Sequence, residues 1–176
     1  MRLILLAIVL LIPGVCRAET PYAGMQTRQV KALSDQQIAD LRAGRGMGLA
    51  LAAELNGYPG PSHVLELADQ LRLTPDQRSK MQDMFAAMKS ETTQIGNKLI
   101  DEETALDEQF ASKTISPDSL RSATAAIAKT QGELREAHLK YHLLTSAVLD
   151  ATQLAQYAEL RGYTGAAPMQ YHHHQK

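Results

Sequence analysis

The chain has 176 residues, 44% of them hydrophobic but only 5% aromatic, with no Trp. That length suits one domain with a modest core, and a core of Ala, Leu, Met and Ile suits helix packing better than a β-sandwich. A formal net charge of −1 lacks the basic excess of a nucleic-acid binder.

The first residues read as an export signal. Met1-Arg2 is a short positive start, and Leu3 to Ile12 is an unbroken apolar run. The run falls short of the roughly 20 residues that cross a bilayer. Pro13-Gly14 breaks it, and Cys16-Arg17-Ala18 places small residues where a signal peptidase reads them, so cleavage is expected after Ala18. Pro13 and Val15 are the wrong neighbours for lipidation at Cys16. Cleavage removes two of the 18 basic residues, none of the 19 acidic ones and the only cysteine, so the charge moves from −1 to −3. Thiolate and disulfide chemistry are then excluded. The chain is therefore expected to be exported from the cytoplasm, with no stable membrane insertion after cleavage.

Residues 19–61 read as short helical pieces. Ser34-Asp35-Gln36-Gln37 is a capping box, in which Ser34 and Gln37 satisfy each other's backbone N–H groups. Gly44-Arg45-Gly46-Met47-Gly48 interrupts the pattern and matches no phosphate-binding loop. Leu49 to Leu55 resumes as a short helix that ends at Asn56-Gly57, and Tyr58-Pro59-Gly60-Pro61 is a turn. Ser62 is expected to cap a further helix reaching about Leu71.

Leu73-Thr74-Pro75-Asp76-Gln77 puts Thr at N-cap, Pro at N1 and Gln at N3, a strong helix start. Apolar or small residues then recur at Met81, Phe85, Met88, Thr92, Ile95, Leu99, Leu106 and Phe110, with Glu102 filling the remaining slot. Steps of four and three make this a seam, and the helix is predicted to run to about Ala111. Ser116-Pro117 starts a second long helix, with the seam Leu120, Thr124, Ile127, Gln131, Leu134, His138, Tyr141, Thr145 and Val148. The short connection folds the two back as an antiparallel hairpin. Glu102 and Gln131 are expected at similar depth as a polar pair fixing register, with Asp101-Glu102-Glu103 a solvated face. Asp150-Ala151-Thr152-Gln153 caps a last short helix ending near Gly162, and residues 164–176 read as a tail. The predicted class is all-α, a long antiparallel helical hairpin with short flanking helices, and a homodimer is expected because a hairpin alone cannot bury both faces.

Leu73-Thr74-Pro75-Asp76-Gln77 resembles the LTxxQ motif of the Spy/CpxP family of bacterial periplasmic stress proteins, and Leu149-Asp150-Ala151-Thr152-Gln153 is similar to its second copy. Asp150 replaces the motif's Thr there, as an equally good N-cap. The resemblance covers residues 62–163. It implies a periplasmic, dimeric, cradle-shaped protein of one of two kinds. Some members resemble holdase chaperones that bind unfolding clients or damp an envelope sensor protein. Others, the CnrX/ZraP-like branch, bind transition metals in heavy-metal sensing or resistance. Capping alone accounts for the motif residues.

His138 and His142 are four apart, so both imidazoles share one helix face and can share a divalent ion. His63 and Glu66 lie one turn apart on the helix before the first motif, and the metal-binding branch is similar in placing ligands on these two segments. The predicted metal set is therefore His63, Glu66, His138 and His142, for Zn, Ni, Co or Cu(II). His172, His173 and His174 are a secondary, weaker set on the tail. Met81, Met84, Phe85 and Met88 form a flexible apolar stripe suited either to a helix core or to client binding. No catalytic constellation is legible, so a non-enzymatic role is expected: a metal-binding stress or resistance protein that senses or buffers the ion, with a metal-independent holdase as the alternative.

Overall fold

A computed structural model describes residues 20–164, and within them the fold is all-helical. After a 3₁₀ turn at Met25–Thr27 come α1 (Asp35–Arg42), α2 (Leu51–Glu54), α3 (Pro61–Glu66), α4 (Pro75–Ala111), α5 (Pro117–Val148) and α6 (Ala151–Leu160). The predicted signal sequence and the histidine run lie outside the described residues. Among the described residues no helix is long and apolar enough to cross a membrane.

Capping chemistry sets the boundaries. Ser34, Thr74, Ser116 and Asp150 each close a capping box with the residue three positions on. α3 departs from expectation. Gly60 is its N-cap with Pro61 at N1, Ser62 caps nothing, and the helix stops at Glu66 rather than near Leu71. A reversal, with Arg72 in the left-handed region (φ 51), then re-aims the chain into α4. α4 and α5 pack on each other as the hairpin. Lys113, at φ 59, reverses the chain between them, and the Thr114 N–H bonds the Gln109 carbonyl at 3.0 Å.

Two apolar clusters lie along the hairpin. Toward its tip, Val30, Leu33, Ile38 and Leu41 pack on Leu99, Ile100, Ile127 and Leu134. At its open end, Val64, Leu71, Met81, Leu149 and Tyr157 form the second. α1 sits hard against α4 at Gly96, where a Cβ would stand 2.6 Å from the Leu41 carbonyl oxygen.

The seam of α5 is not the one expected. Its buried face carries Ile127, Thr130, Leu134, Ala137, His138, Tyr141, His142 and Thr145, while Gln131 and Thr124 are exposed. Thr130, three after Ile127 and four before Leu134, keeps the helical steps of the face as well as Gln131 would, and burying the smaller side chain leaves the Gln131 amide in water. The Glu102–Gln131 pair therefore does not form. Glu102 is half-buried, with Oε2 unbonded and Lys98 Nζ 3.9 Å from Oε1. Phe110 and Leu120, at the tip, are exposed rather than in the seam.

Candidate functional site

Between the two apolar clusters, α5 carries His138 and His142, both buried. Opposite them is a residue that the sequence pattern did not single out. Glu54, the last residue of α2, is only 5% exposed. A carboxylate that deep in the fold must be hydrogen-bonded or neutral. Gly57, at φ 85, turns the chain back, and the Gly60 N–H donates to Glu54 Oε2 at 3.2 Å. From α6 the Tyr157 hydroxyl donates to Oε1, and the Tyr163 hydroxyl donates to the same oxygen at 3.0 Å.

The histidines approach from two sides. His63 Nδ1, on α3, lies 3.3 Å from Glu54 Oε1, although off the hydrogen-bonding direction. His142 Nδ1 lies 3.6 Å from Oε2 and 2.6 Å from the Tyr58 carbonyl oxygen. A carbonyl can only accept, so His142 Nδ1 carries the proton in that bond and the neutral ring keeps its lone pair on Nε2. That nitrogen faces Gly60, where a Cβ would stand 2.9 Å from it. His138, one turn earlier, has a buried Nε2 with no hydrogen-bond partner, and its ring faces Gly46, where a Cβ would stand 3.6 Å away.

The electrostatics follow. Burial alone would raise the Glu54 pKa, but the adjacent His63 imidazole and the Tyr157 and Tyr163 hydroxyls outweigh it and hold it at about 2. Burial, reinforced by Glu54, pushes the Tyr157 phenol up and keeps it a donor. Burial, with His142 close by, pulls the His138 pKa down, which favours the neutral, ligating form of the imidazole.

These groups border a cleft of about 590 Å³. Its walls are the loop from Ala43 to Gly48, the start of α3, and Phe85 and Met88 of α4. His63, His138 and His142 of the predicted set therefore come together. Glu66 does not: it is exposed and lies 3.8 Å from Arg161, and the carboxylate beside the imidazoles is Glu54. One signal could have marked Glu54, since it is the lone charge in the apolar run Leu49 to Leu55. The apolar stripe also divides. Phe85 and Met88 line the cleft, Met84 is half-buried against the second cluster, and Met81 is wholly buried within it.

Three imidazoles, a carboxylate and no thiol make a donor set for borderline divalent ions. Among the described residues, no three or more His, Cys, Asp or Glu side chains already meet the geometry of a metal site. Glu54 is engaged by hydroxyls and a backbone N–H, so its carboxylate would have to exchange a bond to join a shell. A scan against protein-family models and searches of curated proteins and of solved structures found no match to this chain.

Proposed function

We propose that this chain is an exported stress or metal-resistance protein of the Spy/CpxP type, holding a divalent transition-metal ion in the cleft beside Glu54. His63 and His142 lie within 3.6 Å of one buried, ionised carboxylate in a cleft that His138 also lines, and this supports the reading. A buried imidazole whose Nε2 lacks a partner, as in His138, suits a cation better than it suits a core. Burying His138 and His142 between two apolar clusters costs stability unless something binds there. Zn, Ni, Co and Cu(II) all match the donors, and the protein senses or buffers one of them as a homodimer in the periplasm.

Thermal unfolding in EDTA, then with each ion, tests this reading. A bound ion stabilises the folded chain by linkage, so Tm rises by several degrees with at least one ion and the rise disappears in His142→Ala. No rise with any ion would sink the proposal.

A second reading has its own support. The cleft wall is largely apolar, with Phe85 and Met88 facing it, which suits an apolar client segment. A metal-independent holdase would suppress client aggregation equally in EDTA, and Met88→Asp would abolish that suppression.

A further inference from the structure

We propose that the cleft takes its ion together with a small dicarboxylate, which completes the ion's shell and turns its outer oxygens to Lys89 of α4. The inference rests on the metal reading above and extends it to the chemical form in which the ion is held.

The first observation is the supply of donors. An imidazole gives an ion one nitrogen, so His63, His138 and His142 supply at most three ligands. Glu54 has little left to give: Oε1 accepts from the Tyr157 and Tyr163 hydroxyls, and Oε2 accepts from the Gly60 N–H. Ions of this series take about four to six ligands. At least one position is therefore left for oxygens from outside the chain.

The second observation is size. The cleft measures about 590 Å³. That is the scale of a small-molecule pocket, roughly 300–1,000 Å³, whereas an ion would bring only a few waters of about 30 Å³ each. Pro61, Phe85 and Met88 line it, which suits a ligand with a hydrocarbon body.

The third observation is charge. Besides the histidines, the charged side chains lining the cleft are Arg45, Glu54 and Lys89, and Arg45 is already paired with Asp40. Lys80 and Lys98, the other lysines of α4, both pair with carboxylates, whereas Lys89 pairs with none among the described residues. Lys89 also stands level with the imidazoles. Lys140, between His138 and His142, bonds Glu91 Oε1 at 2.7 Å. The two helices run antiparallel, so Lys89, two residues before Glu91, falls at the depth of His142. A doubly charged ion set between Glu54 and Lys89 leaves two positive charges uncompensated beside an apolar wall, which is costly. A dianion cancels both. Two carboxylates on one carbon also close an unstrained six-membered chelate ring on the ion.

The experiment loads the chain from Glu19 onward with Zn(II), Ni(II), Co(II) or Cu(II) in turn and removes unbound ion. Malonate, or inorganic phosphate, is then titrated in by calorimetry, for the wild type, Lys89→Gln and Lys89→Arg. The expected result is one malonate per ion-loaded chain with at least one ion, and none in EDTA. Malonate affinity should be at least tenfold weaker in Lys89→Gln and largely restored in Lys89→Arg, with affinity for the ion alone not reduced in either. Phosphate, a dianion that can close only a strained four-membered ring, should bind at least tenfold more weakly than malonate. A chain that holds an ion but takes no malonate overturns the inference and leaves the cleft ion standing. So does malonate that strips the ion from the protein, malonate that binds as well in EDTA, equal affinity in Lys89→Gln, or phosphate that binds as tightly. A chain that holds none of the four ions defeats both readings.

Discussion

The side-chain amides of Gln77 and Gln153 donate to each other: Gln77 Nε2 meets Gln153 Oε1 at 2.9 Å, and Gln153 Nε2 meets Gln77 Oε1 at 3.0 Å. Each oxygen also closes its own capping box, accepting from Thr74 N–H and Asp150 N–H at 3.1 Å. The other hydrogen of each amide reaches across, to the Val148 carbonyl at 3.0 Å and the Leu71 carbonyl at 3.2 Å. The two similar motifs are thus one joint, pinning the start of α4 to the start of α6 at the open end of the hairpin. Capping explains why a Gln stands at each N3 position, and the pairing adds why both are Gln rather than Glu: only an amide donates and accepts at once.

The joint predicts non-additivity. Gln77→Ala and Gln153→Ala each lower stability by about 1–2 kcal/mol, because each strands the other's amide. The double variant loses clearly less than the sum of the two. Urea unfolding of the four proteins of this cycle measures the coupling, and strict additivity would refute the pairing.

Glu54 predicts an acid-sensitive fold. Its pKa is held at about 2 when folded, against an ordinary value of 4.5. A depressed carboxylate pKa contributes stability that is fully present above the unfolded value and is lost as pH falls toward the folded one. In EDTA, the wild type should therefore lose about 1–3 kcal/mol from this group between roughly pH 5 and pH 2. Glu54→Gln, less stable at neutral pH, should show a shallower loss over that window. Equal slopes for the two proteins would refute this account.

Two helical glycines should respond oppositely. A Cβ at Gly96 stands 2.6 Å from the Leu41 carbonyl, which is backbone and cannot step aside, so Gly96→Ala should cost about 1–3 kcal/mol as α1 is pushed off α4. Gly132, on α5, has nothing within 4 Å of a Cβ. Gly132→Ala should stabilise by up to about 1 kcal/mol through helix propensity alone. Denaturant midpoints of the two variants decide.

His138 should show that the cleft trades stability for binding. Its buried Nε2 has no partner, so His138→Leu removes a desolvated polar atom and should leave stability in EDTA unchanged or raise it by about 1 kcal/mol. The same variant should show a smaller rise of Tm with metal. A loss of several kcal/mol in EDTA would mean that the imidazole is an ordinary core residue.

Gly60 tests the cleft from the backbone side. Its φ of −83 suits any residue, so Gly60→Ala carries no backbone strain, yet the new Cβ would lie 2.9 Å from His142 Nε2. The Tyr58 carbonyl restrains that ring, so the methyl occupies the space a metal would need. Metal stabilisation should fall sharply while helicity by circular dichroism is retained. Undiminished stabilisation would place the ion away from His142.

Local signals determined the long elements of this protein. Thr74-Pro75, Ser116-Pro117 and Asp150 fix where α4, α5 and α6 begin, because a cap and its N3 partner are read within four residues. The class follows from the two apolar stripes, and His138 and His142 share a face because four residues make about one helical turn. Tertiary packing decided the rest. Thr130 and Gln131 flank the buried stripe about equally, and packing against α4 took the smaller side chain inward. Whether Glu54 or Glu66 met the histidines depended on the reversal at Gly57 and on the packing of α2 and α3 against α5, with Tyr157 of α6 bonding Glu54. A carboxylate on a four-residue helix carries no periodicity of its own. Its burial comes from the hydroxyls of Tyr157 and Tyr163, about a hundred residues away in sequence, and only the folded chain brings those groups within hydrogen-bonding distance.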